Sequence, residues 1–208
     1  MATADRLTMP LGEALFTQRA IRRFRPDSLP EEDLRDILTA AIRAPSGGNA
    51  QPWHFLVIRD RALLDRFAPL YHEAWWAKRR DAGIHGPEDI SREDRSMQSA
   101  MRLANEIGIA PVIVLVCARA KGAGAMGSVI PATQNLLLAA RALGIGGTIT
   151  TLHRDVEERV HALFGIPAEA QIVYCVPLGY PRGRFGDAQR LPLREVSSLD
   201  RWGRSFVD

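Results

Sequence analysis

Between a helical segment and an apolar run, the chain carries Ala44-Pro45-Ser46-Gly47-Gly48-Asn49-Ala50-Gln51-Pro52-Trp53. Its two prolines neither continue a helix nor donate to a sheet ladder, so a rigid turn must part the helix before from the strand Phe55-Leu56-Val57-Ile58 after. The two glycines let the backbone approach a ligand closely, and Ser46, Asn49 and Gln51 offer compact donors and acceptors from a loop held on rigid elements. Pro, Ser, Gly and Asn are also the ordinary residues of a helix-to-strand turn, so alone the stretch reads as a turn. Its meaning depends on residues elsewhere.

Around this loop the pattern predicts alternating helices and strands. Pro10–Gln18 reads as a short helix with Leu11, Ala14 and Leu15 on one side. Ser28 and Glu31 form a capping-box pattern ahead of Leu34, Ile37, Leu38, Ala41 and Ile42, one face of a helix that Pro45 ends. Asp60 opens a helix carrying Leu63, Leu64 and Phe67; beyond Pro69 a helix with Tyr71, Trp75 and Trp76 gives way to a mobile loop, Lys78 to Gly86. Ser91 and Asp94 cap a helix running to about Glu106. Pro111–Cys117 is a buried strand, Gly122–Gly127 a flexible link, and Val129–Leu143 a buried helix ended by Gly144. A Gly/Thr strand over Ile145–Thr151, a helix over Asp155–Phe164 and a last core strand over Gln171–Val176 follow. From Gly179 the chain is rich in Pro, Gly and Arg with little helical period. No repeat, low-complexity tract or linker divides the chain, so a single domain over residues 1–208 of α+β class, with layered helices and strands, is predicted. The arm 180–208 must pack on something to stay ordered, and a partner subunit is the natural candidate.

The chain has 208 residues and a formal charge of only +3, from 27 basic and 24 acidic side chains. Neither a nucleic acid nor an acidic membrane is called for. No stretch approaches 18 apolar residues, and Met1–Gly12 lacks a basic segment followed by an apolar one; a cytoplasmic, non-membrane protein is predicted. Cys117 and Cys175 lie within apolar runs and read as buried, reduced thiols. The five histidines form no pair at ligand spacing with a carboxylate or thiol, so no metal site is predicted. No dinucleotide fingerprint, P-loop or Gly-x-Ser-x-Gly elbow occurs.

Four groups remain. Arg19, Arg22, Arg23 and Arg25 crowd seven residues, Arg19-Ala20-Ile21-Arg22-Arg23-Phe24-Arg25. They are either a solvated edge or an anion clamp, because guanidinium forks suit bidentate phosphate contact. Extended alternation would place Arg19, Arg23 and Arg25 on one side, with Arg22 and Phe24 on the other. The loop at 44–53 is the second group. In the third, Gly146-Gly147-Thr148-Ile149-Thr150-Thr151, the threonines are good strand formers whose hydroxyls could also face the polar edge of a flat ring. The fourth is Arg190, by itself one surface arginine among many.

In their order and spacing these pieces resemble the nitroreductase family of flavin enzymes. The resemblance rests on Gln-Arg-Ala-Ile-Arg-Arg-Phe, on Ala-Pro-Ser-Gly-Gly-Asn-Ala-Gln-Pro-Trp, on the helix from Pro131 to Gly144 and the Thr-rich strand. Pro-Leu-Gly-Tyr-Pro at 177–181 and Arg-Leu-Pro-Leu in the tail complete it; residues 69–108 match little. It implies an FMN-binding fold with a mixed, mainly antiparallel sheet flanked by helices, working as an intertwined homodimer with flavins at the subunit interface. Carried over, Arg19, Ala20 and Arg22 would meet the FMN phosphate and ribityl chain, and Arg190 would complete the phosphate clamp. Pro45, Ser46 and Asn49 would contact the flavin from the other subunit, while Gly147, Thr148, Ile149, Thr150 and Thr151 would lie beside the ring near N5 and O4. Gln18 and Ala20 depart from the family's usual basic residue and serine, which puts one phosphate or ribityl hydrogen bond in doubt. Tyr71, Trp75 and Trp76 either line a substrate lid or serve as core or dimer contacts. The resemblance implies ping-pong transfer of a hydride from NAD(P)H through flavin N5 to a small-molecule acceptor, a nitroaromatic, quinone or conjugated compound, with no catalytic side chain of the protein's own. Reductive dehalogenation, flavin fragmentation or substrate dehydrogenation on the same fold, and a non-enzymatic flavin-binding role, are the alternatives.

Overall fold

The computed structural model describes residues 3–206. In chain order its elements are α1 (Thr3–Arg6), α2 (Leu11–Thr17), α3 (Glu31–Ala41), β1 (Trp53–Ile58), α4 (Arg61–Asp81), α5 (Arg95–Glu106), β2 (Val112–Ala118), α6 (Ala123–Ala142), β3 (Gly146–Gly147), α7 (Arg154–Phe164), β4 (Gln171–Gly179) and α8 (Leu193–Val196). The strands form one sheet in the order β1-β2-β4-β3, and each pairing is antiparallel. No helix among the described residues is long and apolar enough to cross a membrane.

Alternation along a strand sends successive side chains to opposite faces. In β2 every residue is buried, so Val112, Val114, Val116 and Ala118 face one apolar layer while Ile113, Leu115 and Cys117 face another. The first layer is filled by Leu34, Ile37 and Ala41 of α3 and by Val129, Ala132 and Leu136 of α6. The second takes Leu64, Phe67, Tyr71, Ala74 and Trp75 of α4, Leu103 of α5 and Val156 and Val160 of α7. Helices therefore cover both faces, the α+β layering that the pattern predicts. A bulge between Val116 and Cys117 absorbs one extra β4 residue, Val173.

Several local expectations differ from the structure. The Ser28–Glu31 capping box does not form: α3 begins after Pro30 with no side-chain cap, and Glu31, Glu32 and Asp33 occupy its first turn instead. Leu29, buried to 1% exposure, holds the preceding chain extended in the core, while the three acids answer the helix dipole. Residues 78–81 belong to α4 and not to a loop; α4 runs through Pro69 because its buried apolar face outweighs the one backbone bond the proline removes. Likewise 123–127 are the first turns of α6, started at Gly122, whose φ of 126 suits glycine alone. α1, unforeseen, is pinned to α3 by Arg6, which donates to Asp33 and Asp36 at 2.5 Å each.

The Gly/Thr strand is shorter than Ile145–Thr151. Gly146 pairs with Gly179, Gly147 with Leu178, and Thr150 bridges Cys175 in the same register. That register sets Thr148 opposite Pro177, which has no N–H to give. The ladder breaks there, and Ile149 swings out to 40% exposure. Gly147 is required where the ladder holds: a Cβ would lie 2.8 Å from Leu178 Cδ2 and 3.0 Å from the Pro177 carbonyl oxygen. Gly147→Ala should therefore destabilise the protein by about 1–3 kcal/mol, measured by urea unfolding, whereas Gly12→Ala, with nothing within 4 Å of the added methyl, should be neutral or slightly stabilising.

Candidate functional site

The basic segment between α2 and α3 is stitched to the far end of the sheet. Ile21 N–H donates to the Gly147 carbonyl at 3.0 Å, Arg25 N–H to that of Tyr180 at 2.8 Å, and Arg182 N–H to that of Arg23 at 3.0 Å. Ile21 and Phe24 are the anchors, 7% and 3% exposed. Gly146 and Gly179 make room for them, since a Cβ on either would meet Ile21 or Phe24 within 3.0 Å. With Ile21 and Phe24 turned inward, the spacing along the segment is three and not strict alternation. Arg19 and Arg23 are exposed and Arg22 is half-buried.

Arg19, Ala20, Arg22, Arg23, Arg182 and Arg184, with Ser99 of α5, line a shallow cleft of about 260 Å³. No carboxylate lines it, and none of these five guanidinium groups forms an ion pair among the described residues. Burial lowers the pKa of Arg22; Tyr71 opposes this, and the charge of neighbouring Arg19 adds a smaller lowering. A half-buried cation beside a second cation and without an anion is an incomplete site; a phosphate would complete it with charge-assisted bonds. Arg190 is exposed in the tail, donates to the Gln189 carbonyl at 2.8 Å, and is not among the residues of this cleft within one chain.

Beside the cleft, Thr148 is buried, Thr150 is tied down by N–H and Oγ1 bonds to the Cys175 carbonyl, and Ile149 and Thr151 face outward. Beneath them lies a polar seam. Tyr71 is 2% exposed, and burial raises the pKa of its hydroxyl, which is set near Thr150, Cys175 and Arg22. Trp75 is 5% exposed and packs edge-on against half-exposed Trp76. Tyr71 and Trp75 are thus core residues of the second apolar layer, and of the three aromatics only Trp76 reaches the surface as a lid residue must. Cys175 and Cys117 are buried thiols, pushed up to about 12 and about 11 by desolvation, too high to act as nucleophiles.

Lys78 is a residue that the sequence reading missed. It donates to the Thr151 carbonyl and to Thr151 Oγ1, the latter at 3.1 Å. Assigned to a loop, it carried no meaning; on a helix continued past Pro69 it follows Tyr71 by two turns and shares its face. That spacing was the available signal.

The loop Ala44–Trp53 is folded on itself. Gly47–Asn49 form one 3-10 turn, Gly48, Asn49 and Gln51 all have positive φ, and Gln51 N–H donates to Ser46 Oγ at 3.1 Å. Asn49 Oδ1 accepts from Gln51 Nε2 at 3.1 Å, and Gly47 N–H donates to Ser128 Oγ of α6 at 3.2 Å. Pro45 and Asn49 are exposed and Ser46 half-exposed. Register places this loop away from the arginine cleft. Trp53, Ala118 and Gln171 share one end of the sheet, whereas Ile58, Ile113 and Pro177 share the other, next to Gly147. The helix α6 spans the same gap: Ser128 meets the loop and Leu137 meets Gly147, about 14 Å apart at 1.5 Å per residue. Within one chain the two halves stay apart.

A sequence model of the nitroreductase family matches residues 15–180. The chain is 37% identical over 203 residues to a NADH dehydrogenase of Thermus thermophilus, covering 91% of this chain and 97% of that protein. It is 30% identical over 166 residues to an iodotyrosine deiodinase of Thermotoga neapolitana, covering 79% and 84%. Among solved structures it is similar to an oxidised iodotyrosine deiodinase bound to FMN and 3-iodo-L-tyrosine, with a TM-score of 0.75 and 26% identity over 93% of this chain and 99% of that one. The chain belongs to the nitroreductase family of flavin oxidoreductases.

Proposed function

We propose that this protein is an NAD(P)H-dependent FMN oxidoreductase that binds FMN between two copies of the chain. The observation that carries the reading is the cleft of unpaired guanidinium groups around half-buried Arg22, set against the exposed edge Ile149–Thr151. Arg19 and Arg22 would hold the FMN phosphate, with Arg190 brought by the tail; Thr148–Thr151 would border the ring. Thr148 fits that place, because Pro177 leaves its carbonyl without a ladder donor. Pro45, Ser46 and Asn49 would come from the second copy, since they lie at the opposite end of their own sheet.

Exposed apolar side chains support the second copy. Leu11, Leu15 and Phe16 of α2 are 69%, 50% and 73% exposed, and Leu191, Leu193, Val196 and Trp202 of the 180–208 arm are exposed as well. Apolar groups in that number are unusual on a lone chain. Bound FMN would supply two-electron chemistry, taking electrons from NAD(P)H and giving them to an electron-poor acceptor. The protein's part is to bind and orient the cofactor, place donors at its edge and keep both partners stacked on one face. Nitroaromatics and quinones are the acceptor class we favour. Reductive dehalogenation of a halogenated aromatic is the second reading, favoured by the likeness to deiodinases in both sequence and structure.

The purified protein should show flavin absorbance, or take up added FMN at micromolar concentration; a colourless protein that binds none would overturn the reading. With FMN bound, NADH or NADPH should be oxidised in the presence of a nitroaromatic, and negligible turnover with both donors would favour the dehalogenase reading. Arg22→Met should weaken FMN binding at least tenfold, since a charge-assisted bond contributes about 1.5–3 kcal/mol, and the loss should shrink as salt rises. Asn49 holds a φ of 54, which asparagine and glycine tolerate. Asn49→Gly should therefore keep the turn yet lower FMN retention more than Gln18→Ala, read by fluorescence titration; equal retention would leave the loop a turn. Sedimentation should give twice the chain mass, and a monomer would remove the half of the site that the second copy supplies.

A further inference from the structure

Lys78 has no task in the flavin reading above, yet its geometry is specific. It stands in the last turn of α4, half-buried, and its ammonium reaches across to both the carbonyl oxygen and Oγ1 of Thr151. An ammonium group carries donors and no acceptor. Thr151 Oγ1 therefore accepts from Lys78, and its own O–H must point to some other acceptor. No second partner of that hydroxyl is found among the described residues, and Thr151 faces outward beside exposed Ile149. The lysine thus decides the polarity of the threonine: locked as acceptor on the inner side, it is a donor on the outer side.

The elements around this pair are braced. His153 Nε2 lies 3.0 Å from Asp81 at the end of α4, and His153 Nδ1 accepts from Asp155 N–H at 3.3 Å. Arg159 of α7 grips Glu73 of α4 through both terminal nitrogens, at 2.9 and 2.5 Å. Thr150 is held to Cys175 from the other side. Helix end and strand end are therefore fixed relative to one another, as a hydrogen-bond donor of defined direction needs. Burial, and to a lesser degree the charge of Arg79, lowers the pKa of Lys78, and the two oxygens of Thr151 are the acceptors that its ammonium finds.

We propose that Lys78 is a positioning residue that orients the Thr151 hydroxyl as a hydrogen-bond donor toward the edge of the flavin ring. This rests on the FMN reading of the site. A donor directed at O4, which gains negative charge on reduction, favours the electron-rich, reduced cofactor over the oxidised one. The readout is the two-electron reduction potential of bound FMN, which a merely structural contact would leave in place. Lys78→Met and Thr151→Val should each shift the oxidised-to-reduced ratio about tenfold against reduction, equivalent to about 30 mV for a two-electron couple. The double variant should shift no further than either single one, because both remove the same donor. Lys78→Arg, which keeps a charged donor, should hold the potential close to the wild-type value, and Thr151→Ser, which keeps the hydroxyl, should leave it unchanged. An unchanged potential in Lys78→Met with FMN bound, or additive shifts in the double variant, would overturn the role of Lys78 and leave the FMN reading intact. Wild-type protein that takes up no FMN would overturn that reading itself.

Discussion

The register of three antiparallel strands governs what this chain can do alone. β2 is buried along its whole length and exposes neither face, so β1 and β4 are locked on either side of it and helices must cover both layers. Because a slip of one residue would exchange the two apolar layers, the pairing is strongly specified. It carries the loop 44–53 to one end of the sheet and the arginine cleft with Gly147–Thr151 to the other. The proposed binding of FMN between two copies of the chain follows from that separation. The case for a partner subunit thus begins in strand pairing, and the exposed apolar groups of α2 and the arm agree with it.

The chemistry of the cleft comes from departures from regular structure. Pro177, placed in an inner strand, withholds one N–H and stops the β3 ladder, so that Ile149 and Thr151 turn outward. Gly146 and Gly179 admit Ile21 and Phe24 against the sheet, and Arg19, Arg22 and Arg23 are left lining a cleft that no carboxylate lines. Gathering these charges where no carboxylate lines the cleft costs free energy that a bound anion would offset. Below this edge, Lys78, Tyr71, Thr150 and Cys175 form a polar seam inside an otherwise apolar layer.

Much of this was legible in the residues. The apolar runs at 55–58, 111–117 and 171–176 became β1, β2 and β4, and the periodic stretches became α3, α6 and α7. Where sequence reasoning failed, tertiary packing overrode local signals. Glycine-rich 122–127 and the charged stretch 78–86 read as loops, yet 123–127 and 78–81 are helical, since the buried faces of α6 and α4, with Val129 and Ala132 on one and Tyr71 and Trp75 on the other, outweigh local propensity. The threonine run looked like a full strand until the register set Pro177 opposite Thr148. Tyr71 and Trp75 looked like possible lid residues because aromatic rings read alike in a core and in a pocket; only their depth tells them apart.

What the sequence determined by itself is local: which stretches are apolar enough to be strands, where prolines and glycines force turns, and which motifs match the nitroreductase family. Those depend on short-range sterics and on side-chain chemistry, which a string of residues contains. Only the tertiary structure decided that the loop and the arginine cleft lie at opposite ends of a sheet, that Arg22 is half-buried without an anion, and that Lys78 holds Thr151. Each of these depends on residues far apart in the chain, brought together or held apart by register and burial, which neighbours in sequence do not show.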